Sequence, residues 1–132
     1  MIDVTIPGLH LVSEANNRDA WYLKHKRSAE QRAIVKMRLW GDCGDYRRIL
    51  VPLVVIITRV GVRTLDLDNL QRAAKSTRDA IAECLGVDDA DPRIEWCYAQ
   101  ETRQRFTRGR QPANRYGVRI RIEERAVPEV AP

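Results

Sequence analysis

Residues 48–101 read "RILVPLVVIITRVGVRTLDLDNLQRAAKSTRDAIAECLGVDDADPRIEWCYAQE". The period of this stretch changes twice. Its first part, 48–60, is nearly all apolar and β-branched, which predicts a strand covered on both faces and central in its sheet. Pro52 has no N–H for a ladder bond, so pairing is interrupted there. Next come apolar positions at helical spacing: Leu70, Ala73 and Ala74, Thr77, Ile81, then Cys84 and Leu85. Gly86 is a residue type that commonly ends helices. Residues 93–101 alternate again, with Ile94, Trp96 and Tyr98 on one face. If the two strands lie side by side, the helix between them is a crossover folded back on the sheet.

The flanks extend the pattern. Residues 2–7 alternate Ile2, Val4 and Ile6 against polar residues, a half-buried strand ended by Pro7 and Gly8. Residues 13–27 are polar, basic and aromatic without a clean period and read as a loop. A helix is expected from Ser28 to Trp40, opened by Ser28 with Gln31 three residues on. Its apolar stripe would be Ala33, Ile34, Met37 and Trp40. The segment 102–114 reads as a basic hairpin loop. Residues 115–123 read as a strand with Tyr116, Val118, Ile120 and Ile122 on one face and Arg115, Arg119 and Arg121 on the other. The expected fold is α/β (α+β): a single mixed sheet of about four strands with two helices packed on it, in the order β-α-β-α-β-β. One domain would span 1–125, and 126–132 would form a flexible tail.

At 132 residues and 44% hydrophobic, the chain has material for one domain with a core. No apolar run approaches the roughly 18 residues that span a membrane, and the first residues do not resemble a secretory leader. The expected setting is cytoplasmic. Cys43, Cys84 and Cys97 are scattered, and the histidines are His10 and His25. That spacing supports neither a Cys/His zinc site nor a disulfide framework. The net charge of +5 comes mostly from arginine, whose forked guanidinium suits phosphate, so a polyanion partner is expected.

Against that basic balance, four acids gather at the two ends of the crossover helix. In "TLDLDN" (64–69), extended chain would place Leu65 and Leu67 on the core side and Asp66 and Asp68 together on the other. Asp68 sits where an N-cap belongs, with Gln71 three residues on, which leaves Asp66 without a structural role. Two carboxylates about 4 Å apart repel by roughly 4 kcal/mol at an effective dielectric near 20, a cost relieved by a cation. Asp68, Arg72, Lys75 and Asp79 share one helix face. If the crossover brought Val87–Asp89 back towards Asp66 and Asp68, then Asp88, Asp89 or Asp91 would complete an oxygen-rich cluster. Such a donor set suits Mg²⁺ or Mn²⁺.

"DLDNLQRAA" (66–74), followed by "DD" at 88–89 and a strand, resembles the RusA family of Holliday junction resolvases, found in phages and prophages. "NNR" (16–18) and "SAEQ" (28–31) echo the family's N-terminal region in order and rough spacing. The resemblance covers about residues 4–123. It implies a homodimeric, Mg²⁺- or Mn²⁺-dependent endonuclease that cuts four-way DNA junctions during recombination and repair, with no small-molecule cofactor and no membrane partner. It maps the metal-binding catalytic aspartates onto Asp66, Asp68 and Asp89, with Asp88 and Asp91 as alternative ligands. The family's essential lysine falls at Arg72, and Lys75 lies one turn further along the same face. The DNA-binding surface would comprise Arg18, Lys24, Lys26 and Arg27 in the first loop, and Arg103, Arg105, Arg108 and Arg110 in the second. Trp21 and Tyr22 could stack on unpaired bases. The rival expectation is a non-catalytic protein that binds branched DNA on the same fold.

Overall fold

The computed structural model describes residues 1–12, 21–44, 46, 52–103 and 115–125. These form β1 (Ile2–Pro7), α1 (Trp21–Leu39), β2 (Leu53–Gly61), α2 (Leu67–Ala73), α3 (Lys75–Leu85), β3 (Ile94–Thr102) and β4 (Gly117–Glu124). The architecture is mixed α+β, with one four-stranded sheet in the order β1-β4-β2-β3. β2 and β3 are parallel, from Leu53 opposite Ile94 to Gly61 opposite Thr102. β4 runs antiparallel to both β2 and β1. α2 and α3 are thus the crossover between two adjacent parallel strands, as the apolar periodicity implies.

Strand alternation selects one buried face. Val55 stands between Ile122 and Trp96, and Ile57 between Ile120 and Tyr98. With Ile2, Val4 and Ile6 of β1 they meet Val35 and Leu39 of α1 and Ala80, Ile81, Cys84 and Leu85 of α3 in a single core. Ile81, Ile120 and Ile122 are fully buried, each contributing about 1.5–3 kcal/mol of transfer free energy. Among the described residues the opposite face has no such cover. Val54, Ile56 and Thr58 are only half-buried there, and the β1/β4 side is charged. Arg119 grips Asp3 through both oxygens at 2.9 and 2.6 Å, and Arg121 pairs with Glu123 at 2.9 Å. β2 is therefore central, as its composition suggests, but deeply buried on one face rather than two.

Four local expectations change. The first helix starts at Trp21, so residues 21–27 are helical rather than loop and Ser28 lies mid-helix instead of capping it. Its buried positions are Gln31, Val35 and Leu39, and the expected stripe faces outward, with Met37 80% exposed. The reason is the neighbour. Around Val35 and Leu39, α1 meets α3 through polar pairs, Ser28 with Ser76 and Lys36 with Glu83, so its contact face is less marked by hydrophobicity than the outward one. Those pairs occur in the same order along both helices, so α1 and α3 run in the same direction. Second, the crossover is two helices, divided at Ala74, whose N–H reaches back to Arg72 and Leu70. The expected stripe stays buried across the break, from Leu70 to Leu85.

Third, β3 and β4 are not neighbours, because β2 lies between them, so the two strands do not form the expected hairpin; residues 104–114 of the expected loop lie outside the described residues. Fourth, β2 begins at Leu53, so Pro52 precedes the strand rather than interrupting it. The crossover ends as expected. Gly86 takes a left-handed conformation (φ 71°), and Gly86 N and Val87 N bond back to Glu83 O and Ala82 O, the glycine-terminated helix stop. The expected tail, 126–132, lies outside the described residues. No helix among the described residues is long and apolar enough to cross a membrane.

Candidate functional site

The topology sorts the ends of the elements. β1, β2 and β3 end on one edge of the sheet, where β4 begins, and α1, α2 and α3 all start on that side. The crevice outside the carboxyl ends of strands is where α/β sheets commonly bind ligands, helped by helix N-termini. Most of the sequence-derived candidates lie here.

Asp66 is the N-cap of α2. Its Oδ1 accepts from Asn69 N at 2.9 Å and its Oδ2 from Asn69 Nδ2 at 3.1 Å. Asp68 follows in the first helical turn. The capping role expected of Asp68 thus belongs to Asp66, because the helix starts two residues early. Leu67, expected on the core side, is 62% exposed, while Leu65 packs against the core. The Leu65 backbone is fixed by Gln100 of β3, which accepts from its N–H (2.8 Å) and donates to its carbonyl (2.7 Å). Both carboxylates are exposed.

The other acids lie elsewhere. Arg78 binds the Asp89 carbonyl (2.9 Å), faces its carboxylate (3.5 Å), donates to Tyr98 Oη (3.0 Å) and lies over the Trp96 ring. Trp96 Nε1 donates to the same carbonyl at 3.0 Å. The Asp88 carboxylate accepts from Ala90 N, and Asp91 is clamped by Arg93 at 2.6–3.0 Å. Asp79 shares a recess with Asp88 and Asp89 and lies one helical turn on from Lys75. Leu65 is anchored at Gln100 and Asp89 at Trp96. Four residues of strand separate these anchors by about 13 Å, and the eleven residues of α3 alone rise about 16 Å. The two acidic ends of the crossover therefore stay apart within one chain. Among the described residues, no three His, Cys, Asp or Glu side chains form a group able to hold a metal ion.

Asp66 and Asp68 fit a narrower role. A carboxylate offers about four lone-pair positions, and Asn69 takes two of those on Asp66. Mg²⁺ commonly binds one or two carboxylates together with water and substrate phosphate. The pair suits that arrangement, though not a closed cage of protein ligands.

Beside the pair lies a cleft of about 420 Å³ between α1 and the α2–α3 junction. Lys24, His25, Ser28 and Gln31 of α1 line it, with Arg72, Ala73, Lys75 and Ser76 opposite, and no Asp or Glu among the described residues. Arg72 is one turn on from Asp68 and on the same side of α2, so the acidic pair adjoins the cationic wall. Lys26 is exposed and Arg27 half-buried on α1. Arg103 N bonds Gly61 O at the same sheet edge. Arg18, Arg105, Arg108 and Arg110 lie outside the described residues, as does "NNR".

No protein-family model matches the chain, no curated protein matches it in sequence and no solved structure matches it in fold at a significant level.

Several edge residues escaped the sequence reading. Arg59 is 5% exposed; its Nε donates to Leu11 O (2.9 Å) and its Nη1 to Arg63 O (2.6 Å), stapling the segments that follow β1 and β2. Burial lowers its pKa from the usual arginine value. His10 stacks on Tyr116 with centroids 3.8 Å apart, and Arg115 lies over the same ring. Burial first, then the charges of Arg59, Arg115 and Arg27, hold His10 below the ordinary histidine range. One signal was present: Arg59 falls on the same side of its strand as Leu53, Val55 and Ile57. His25, Ser28 and Ser76 carried no comparable mark.

Proposed function

We propose that this protein is a divalent-metal-dependent endonuclease acting on branched DNA, of the kind the resemblance to the RusA resolvases implies. The observation that supports it is the juxtaposition of two exposed carboxylates, Asp66 and Asp68, with a cleft lined by Lys24, Arg72 and Lys75 at the edge where strand ends and helix starts converge. Asp66 and Asp68 would hold Mg²⁺ or Mn²⁺. When bound, the ion supplies an activated water and neutralises charge developing on the phosphate. Asn69 orients the Asp66 carboxylate through two hydrogen bonds. Arg72 offers a fork to the phosphate oxygens but is a poor proton donor. Lys75 is the group able to protonate a leaving oxygen. Lys24, Lys26, Arg27 and Arg103 would follow the flanking backbone, with affinity falling steeply in salt as counterions are released. Two protomers would supply one nick to each of two strands, and a second copy is the natural source of further acidic ligands.

The test is a labelled four-way junction incubated with Mg²⁺. The parent should nick it, and Asp66→Asn and Asp68→Asn should bind it without nicking. The separation of Asp88–Asp91 from Asp66 and Asp68 favours a second reading, a protein that binds branched DNA and cuts nothing. Salt-sensitive junction binding by the parent, with no nicking in either Mg²⁺ or Mn²⁺, would select it.

A further inference from the structure

We infer that the cleft between α1 and the α2–α3 junction is a seat for one phosphate group of a nucleic acid, separate from the Asp66/Asp68 pair. Four observations converge. The first is charge. Lys24, Arg72 and Lys75 and the His25 imidazole line one recess to which no carboxylate among the described residues contributes. Three like charges sharing a concave wall repel one another, and an oxyanion turns that repulsion into attraction. The second is shape. The recess is open to solvent on the rim held by exposed His25, Arg72 and Lys75, and closed below by buried Gln31 and Ala73. Gln31 is fixed by its Nε2 bond to His10 O at 3.1 Å.

The third is a spare proton. Ser28 Oγ and Ser76 Oγ lie 2.6 Å apart across the two helices. Two hydroxyls carry two protons, and their mutual bond uses one. The other is left to donate, and both serines line the cleft. The fourth is the break at Ala74. Because α3 starts afresh there, with no side-chain cap, the N-terminus of an eleven-residue helix meets the recess at Lys75 and Ser76. Its partial positive charge adds to the side chains. The His25 ring is itself held on the rim by Trp21, with centroids 4.1 Å apart.

This deepens the nucleic-acid reading and rests on it only for the source of the phosphate. Through Lys24, Ser28 and Ser76 the seat would grip a phosphate next to the one at Asp66 and Asp68, with Arg72 and Lys75 standing between the two, and so set which bond of the strand meets the carboxylates.

The experiment is a titration of the isotope-labelled full chain with inorganic phosphate, followed by amide resonances against chloride at matched ionic strength. Saturable shifts are expected at Ser28, Lys75 and Ser76. Lys24→Met and Ser76→Ala should keep a native spectrum and weaken phosphate about tenfold, the loss of one charge-assisted hydrogen bond. Shifts that chloride reproduces, or parent affinity in both variants, overturn the seat. A second arm measures metal-free binding of one oligonucleotide with and without a 5′-phosphate. Weaker binding of both forms by Lys24→Met and Ser76→Ala identifies a backbone phosphate. Weaker binding of the phosphorylated form alone identifies a terminal one. No loss with either form overturns the nucleic-acid assignment. Asp66→Asn and Asp68→Asn should leave the phosphate titration unchanged, so failure of the seat and failure of the nuclease reading appear in different assays.

Discussion

Asp66 has two roles, one seen in the fold and one proposed, and a pair of substitutions separates them. As the α2 N-cap it satisfies Asn69 N at 2.9 Å and holds Asn69 Nδ2 at 3.1 Å. Asp66→Ala removes both bonds, and losing a cap of this type costs about 1 kcal/mol. Asp66→Asn keeps an oxygen for Asn69 N and is an equally good cap. It loses the bond from Asn69 Nδ2, an exposed group that can turn to water, and the attraction between the carboxylate and the helix N-terminus, about 0.3 kcal/mol for a short exposed helix. In a chain of this size 1 kcal/mol corresponds to roughly 3–4 °C in Tm. Circular dichroism melts should therefore put the alanine variant about 3–4 °C below the parent and the asparagine variant within about 1 °C. Junction nicking should show a different order, lost in both, because Asn has no negative charge with which to hold a divalent ion. An alanine variant that melts with the parent refutes the cap. An asparagine variant that nicks at the parent rate refutes the metal role.

Gly61→Ala would bring a Cβ to 2.9 Å from Arg59 Nη1, which is bonded to Arg63 O and buried. The expected cost is about 1–3 kcal/mol, read as a lower urea midpoint at unchanged slope. Thr77 Oγ1 is buried with no hydrogen-bond partner among the described residues, so Thr77→Val should stabilise by about 1 kcal/mol, and a destabilised variant would reveal a bond to that hydroxyl. Asp91 is held down to about 2 by the Arg93 side chain first and its backbone N–H second. A carboxyl whose pKa is lower folded than unfolded contributes stability above pH 4 and loses it as pH falls towards 2. Asp91→Asn should therefore be less stable than the parent at neutral pH, with a flatter acid limb, and the difference should close as pH falls towards 2.

The crossover was legible because its apolar residues keep strict periods: Leu70 to Leu85 at helical spacing and Ile94, Trp96, Tyr98 at strand spacing, all on the core side. The first helix was misread because α1 docks on α3 with serine, lysine and glutamate, while Ile34, Met37 and Trp40 face outward. Its contact face was opposite to the one hydrophobicity selects. The sheet order was illegible for a different reason. Chain adjacency favours a β3–β4 hairpin, but β4 inserts between β1 and β2, a choice made by long-range register. Of the candidate site, the Asp66/Asp68 pair and its neighbours Arg72 and Lys75 could be read from local spacing. The position of Asp88, Asp89 and Asp91 could not, since it depends on how far a two-part helix carries the chain. The cleft wall from α1 was hidden by the same misreading that lost the first helical turns.

The sheet order also constrains when the fold can complete. β4 is made after the other three strands and occupies an inner place, with Ile2 opposite Ile122. During synthesis β1 emerges before its one neighbour in the sheet and waits for β4, which follows β2, α2, α3 and β3. β2, α2, α3 and β3 can assemble beforehand as a local unit. Closure of such a distant pairing is slow because the loop entropy is spent before any contact is gained. Loss of the residues from Gly117 onward would therefore remove the seam rather than trim an edge, leaving β1 and one side of β2 without hydrogen-bond partners.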